Sequence, residues 1–172
     1  MRRNLTRHPD TRCDAVTSIT VAVTYTPRGD LRLEYNLIGD IAAIRFPPDA
    51  VSARTDNLWQ HTCFEAFLKS TSDTGYAEFN FSPSTQWASY RFDGYRTGMT
   101  AADAMPRIET QATATQFDLC AVLPLPSSDA RLGLSAVIEE TSGRKSYWAL
   151  AHPQGKPDFH HPDCFALELP AA

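Results

Sequence analysis

LWQHTCFEAFLKSTSDTGYAEFNFSPSTQWASYRFDGYR, residues 58–96, contains two of the chain's three tryptophans, and its reading decides the class of fold. Residues 63–69, 76–81 and 86–92 have strand character. Ser-Thr-Ser-Asp-Thr-Gly at 70–75 and Ser-Pro-Ser-Thr at 82–85 separate them as turns. Three such runs in succession predict an antiparallel meander. Side chains alternate along a strand, so Phe79 and Phe81 point one way while Glu78 and Asn80 point the other. In the third run Ala88, Tyr90 and Phe92 share a face, opposite Trp87, Ser89 and Arg91. In the first, Phe64, Ala66 and Leu68 oppose Cys63, Glu65 and Phe67. If the apolar sets form a core, Glu65, Glu78, Asn80, Arg91 and Trp87 line the other surface. Acid, amide, guanidinium and indole on one sheet face suit a small polar ligand. The same pattern also suits the solvated outer face of a half-buried sheet.

Outward from the meander, more strands follow. Ile19, Val21, Val23 and Tyr25 alternate with Thr20, Ala22 and Thr24. A Pro-Arg-Gly-Asp turn leads to Leu31, Leu33, Tyr35 and Leu37, alternating with Arg32, Glu34 and Asn36. This is a hairpin with one dry face. Residues 41–46 read as a further short strand and 47–57 as loop. Beyond the meander, 94–106 is irregular with a short helical turn expected at 100–105, and 107–112 is a strand. Phe117, Leu119, Ala121 and Leu123 mark the next strand, closed by a turn at 124–129. Leu132, Leu134, Ala136 and Ile138 follow, then a turn at 139–144, a strand at 145–151 carrying Trp148, a loop at 152–164 and a last strand at 165–169. About ten short strands, with no long helix and no βαβ alternation, predict one all-β domain over residues 1–172, an antiparallel β-sandwich of jelly-roll or immunoglobulin-like type.

Composition sets the outer bounds. Hydrophobic residues make up 42% of the chain, charged residues 21%, and the net charge is −4, so no basic surface argues for nucleic acid. The basic N-terminus lacks the apolar run of a signal peptide, and no stretch approaches a membrane span. Cys13, Cys63, Cys120 and Cys164 are widely spaced without a CxxC pair, which fits reduced thiols and a cytoplasmic setting.

Chemistry-bearing motifs are sparse. His152, His160, His161 and Asp163 lie in a proline-rich loop, but neighbouring extended residues point apart and no zinc spacing exists, so no metal is expected. His152 and His160 suit instead the rim of a pocket. No nucleophile elbow is present. Glu65 and Glu78 on neighbouring strands could pair as a glycosidase requires, which with a loop histidine leaves a hydrolase or isomerase open as the alternative. A protein-interaction module using a sheet edge or an aromatic patch is a further alternative. Trp59, where loop becomes strand, and Trp148, near a strand end, could frame an opening, since flat apolar rings suit sugar faces.

Trp59 with CFEAF, then YAEFNFSP, WASYRFDGYR and YWALAHPQGKPDFHHPDCFALEL, resemble DOMON-like domains related to family 9 carbohydrate-binding modules, over most of the chain from residue 58 onward. The resemblance implies a non-catalytic β-sandwich binding a small sugar-like ligand. It puts Trp59 and Trp148 at the two aromatic walls and Glu78, Asn80 and Arg91 on the polar floor. It also implies haem as an option, for which Met99, Met105 and His152 are the candidate ligands. No calcium or other cofactor is expected.

Overall fold

The computed structural model describes residues 1–71, 73–124 and 129–169. Its strands are β1 (Arg2–Arg7), β2 (Val16–Tyr25), β3 (Leu31–Gly39), β4 (Cys63–Ser70), β5 (Tyr76–Phe81) and β6 (Trp87–Phe92). They continue as β7 (Thr100–Ala101), β8 (Arg107–Ala112), β9 (Gln116–Leu123), β10 (Ala130–Glu139), β11 (Lys145–Ala149) and β12 (Leu167–Leu169). They pair along one path, β7-β6-β5-β4-β10-β11-β1-β2-β3-β9-β8, with β12 beside the first half of β10, and every strand pairing is antiparallel. The fold is all-β, as the sequence predicts. Among the described residues the strands number twelve, joined in one curled sheet where a sandwich of about ten was expected.

The link is β1. Its first part pairs with β2, Leu5 opposite Ile19, and its end pairs with β11, Arg7 opposite Trp148. The curl brings the concave faces of both halves onto one core. Ile19, Val21, Leu33 and Leu119 from one half meet Phe64, Phe81, Leu134 and Ile138 from the other. Each such side chain contributes about 1.5–3 kcal/mol on burial. The Tyr35 hydroxyl crosses the core to donate to the Glu65 carbonyl oxygen at 2.8 Å.

The predicted hairpin is β2 and β3, with Gly29 at φ 87° in its turn. At its far end β2 carries an irregularity between Val16 and Ser18. A Cβ on Gly39 would lie 2.1 Å from the Ala15 carbonyl oxygen, so the close approach there requires glycine. Two local expectations fail. Residues 41–46 form a 3-10 turn over Ile41–Ala43, because the Asp40 side chain caps it by accepting the Ala42 N–H. The helical turn expected at 100–105 is instead strand β7, drawn out by the free edge of β6. The turn expected at 124–129 lies largely outside the described residues. All four cysteines are free thiols, and among the described residues no helix is long and apolar enough to cross a membrane.

Candidate functional site

The half-sheet β7-β6-β5-β4-β10-β11 has a second face, turned away from the core, and the site lies there. Register decides its composition. Glu65 pairs with Asn80, Phe67 with Glu78, Glu78 with Tyr90 and Val137 with Tyr147, so these side chains share that face. Phe67, Tyr76, Tyr90, Phe92, Val137, Phe159 and Phe165 form a second apolar cluster on it. Over the cluster lies a cavity of about 1090 Å³, at the upper end of the roughly 300–1,000 Å³ usual for small-molecule sites.

Three connecting segments build its walls. Residues 54–59 supply Arg54, Asp56, Asn57 and Trp59, with Asn57 in the left-handed region at φ 65°. The 94–101 turn supplies Arg96 and Met99. Its Gly98 sits at φ 64°, in the left-handed region that favours glycine. The 152–164 loop supplies Lys156, Pro157, Phe159 and His160. The last two segments are strapped together: Asp158 accepts from the Arg96 guanidinium at 2.7 Å and from the Tyr95 hydroxyl. On the other wall Tyr90 donates to Asp56 at 2.6 Å, and Arg54 pairs with Asp56 at 3.0 Å while lying over the Tyr90 ring.

Two buried carboxylates form the floor. Glu65, 3% exposed, accepts from the Ser135 hydroxyl at 3.2 Å, and Glu78, 6% exposed, accepts from the Asn80 amide at 2.8 Å. Burial pushes the Glu65 carboxyl well above the ordinary range, and the Glu78 charge adds to it. Burial raises Glu78 too, opposed by the Asn80 bond and by Arg96. Beside Glu78 stands His160, its Nε2 3.7 Å from the carboxylate and its Nδ1 2.7 Å from the Tyr76 hydroxyl. Tyr76 accepts the Arg96 N–H and can donate its own proton to Nδ1, an arrangement that leaves the imidazole proton on Nε2. Burial, helped by the Arg96 charge, lowers the His160 pKa to about 4, so the ring is neutral at physiological pH.

Of the residues read from the sequence, Trp59, Glu78 and His160 line this cavity, and Asn80 holds Glu78 from beneath. Trp59 is 49% exposed, free to meet a ligand. Trp148 is not a wall. It is 6% exposed on the core face, its indole N–H donating to Ser146 at 3.0 Å, and its neighbour Tyr147 faces the cavity. Arg91 is not on the floor either. The β5–β6 register pairs it with Ala77, so Tyr90 and Phe92 join Glu78 while Arg91 and Trp87 take the opposite face, where Arg91 binds Asp73. His152 lies outside the cavity lining: its Nε2 bonds the Thr6 carbonyl at 2.8 Å, and its buried Nδ1 has no partner. Met99 lines the cavity, but Met105 lines a separate concavity, so the residues considered for haem are not brought together. Among the described residues no three metal-ligating side chains converge. Reasoning from sequence missed Tyr90, Tyr147, Phe159 and Arg96. Tyr147 and Tyr90 were visible as aromatics, each one residue from the side chain chosen in its place.

No protein-family model matches the chain, and no curated protein does. Among solved structures, the chain is similar to one titled a "putative carbohydrate-binding protein" from Bacteroides uniformis ATCC 8492. The TM-score is 0.71 and the identity 15%, over 95% of this chain and 83% of that one. The likeness is one of fold.

Proposed function

We propose that this chain is a non-catalytic binding domain for a small carbohydrate or sugar-derived ligand, held in the cavity over β4, β5, β6 and β10. The single observation that carries the reading is the pairing of flat rings with buried acceptors in one recess: Trp59, Tyr90 and Tyr147 around Glu65 and Glu78. Rings of this kind cover the C–H faces of a pyranose, while carboxyl and amide groups bond its hydroxyls. The fold neighbour's name and the resemblance to DOMON-like and family 9 carbohydrate-binding domains point the same way. Such sites give affinities of roughly micromolar to millimolar. The reading takes residues 1–172 as one domain acting in the cytoplasm.

Titration calorimetry against a panel of monosaccharides and sugar nucleotides tests it. Binding of one sugar class, weakened about tenfold or more in Trp59→Ala and in Tyr147→Ala, is the expected result. Binding unchanged in both variants removes the cavity from consideration.

A second reading, turnover, has one observation in its favour. Two carboxyls of raised pKa and a neutral histidine share a pocket, the arrangement general acid–base catalysis uses. Conversion of a chromogenic glycoside or epimerisation of a bound sugar, lost in Glu78→Gln, would establish it.

A further inference from the structure

Glu65 and Glu78 have too few partners for two buried carboxylates. Each receives one side-chain hydrogen bond, from Ser135 and Asn80, and both line the cavity. No lysine or arginine forms an ion pair with either among the described residues; the basic side chains that act on Glu78 are the neutral His160 and, from its pairing with Asp158, Arg96. The arginines around the cavity are engaged elsewhere. Arg54 pairs with Asp56 and covers Tyr90, and Arg96 pairs with Asp158, while Lys156 stands exposed at the mouth. A buried carboxylate without a cation is held by a proton or awaits a positive charge.

Resting on the carbohydrate reading, we infer that the ligand carries a positive charge: an amine-bearing sugar whose ammonium is seated between Glu65 and Glu78. The rings facing the pair strengthen this. Phe67, Tyr90, Phe92 and Tyr147 rise from the same sheet face, and Trp59 and Phe159 line the recess with them. Aromatic faces are negative at their centres, so they attract an ammonium as carboxylates do, and the combination discriminates a cation from a neutral isostere. A metal ion fits worse, because among the described residues no three carboxylate, cysteine or histidine side chains converge to form a coordination shell. The other titratable groups that interact with the pair include Cys63 on the same strand as Glu65, Tyr35 and Tyr90, together with His160, Tyr76 and Arg96. An ammonium entering the floor draws the two carboxyls into their ionised form.

The experiment compares glucosamine, N-acetylglucosamine and glucose at matched ionic strength on wild-type protein, by calorimetry or by chemical-shift titration. The three share a ring and differ at one substituent, which is charged in glucosamine alone. Glucosamine is expected to bind about tenfold or more tightly than either neutral sugar. The preference is expected to shrink to within about twofold in Glu65→Gln and Glu78→Gln, whose urea midpoints report that they remain folded. Equal binding of the three sugars, or a preference that survives both substitutions, overturns the charge inference and leaves the carbohydrate reading standing. Tetramethylammonium supplies charge without a ring; its binding in the absence of any sugar binding overturns the carbohydrate reading, and the amino-sugar class with it. The wild-type comparison stands even if a variant fails to fold.

Discussion

Two tryptophans in this chain have opposite surroundings, and their substitutions separate stability from recognition. Trp148 packs among Leu5, Ala136 and the rest of the inner core, so Trp148→Ala is expected to cost about 3–5 kcal/mol, read as a fall in the urea midpoint. Trp59→Ala is expected to shift that midpoint by no more than about 0.5 kcal/mol, because half of the side chain already faces solvent. Its effect belongs in the binding assay. Glu65 gives a prediction of pH dependence. Its folded carboxyl keeps its proton to higher pH than the unfolded chain does. Its contribution is therefore complete below the ordinary value of 4.5 and is lost as pH rises through the folded value. Glu65→Gln removes that loss, so the stability of the variant relative to wild type should grow as pH rises above 4.5. His160 acts in the reverse sense, stabilising above its ordinary 6.5 and losing that contribution as pH falls through about 4. The difference between variant and wild type is thus the quantity to read, since His160 is common to both. A flat difference across that range would show that Glu65 ionises in the folded protein as it does in the unfolded chain.

At the scale of elements, the strap between the 94–101 turn and the 152–164 loop sets how well the cavity is formed. Asp158 binds both Tyr95 and Arg96, so Asp158→Ala should free the two segments from each other. Hydrogen exchange at their amides is expected to accelerate, with ligand affinity falling by about threefold to tenfold as the competent arrangement becomes less populated. Unchanged exchange would mean that ring packing of His160 against Phe67 and Phe92 holds the loop instead. Elements are also where the sequence is least complete as a guide. Alternation within β4 and β5 is plain, and it places Glu65, Glu78 and Asn80 on one face as read. Which face of β6 joins them depends on how many residues the connecting turn consumes, and Thr85, at φ 70°, closes that turn so that Phe81 pairs with Trp87. Tyr90 therefore stands where Arg91 was expected. On β11 the same one-residue question arises between Tyr147 and Trp148, both aromatic, and only the pairing of Val137 with Tyr147 answers it. β1 is unreadable for another reason. Leu5 is its one buried residue, and backbone bonds hold the rest.

At the scale of the molecule, β1 is what makes the two halves a continuous sheet. Deleting residues 1–7 removes Leu5 from the core and strips β11 and β2 of a partner at once. We expect a loss of at least about 3 kcal/mol, or about 6–12 °C in melting temperature, measured by calorimetry. An unaltered melting temperature would show that the core alone holds the halves together. The interleaving of core and cavity along the same strands has a longer reach. Phe64, Ala66 and Leu68 alternate with Glu65 and Phe67, Phe79 with Glu78, and Trp148 with Tyr147, so neighbours in sequence belong to separate layers. A single-codon change at a cavity position alters what the recess accepts and leaves the inner layer's packing intact. A lineage built on this scaffold can drift from one ligand to another by small viable steps, keeping its architecture long after its amino-acid identity has worn away.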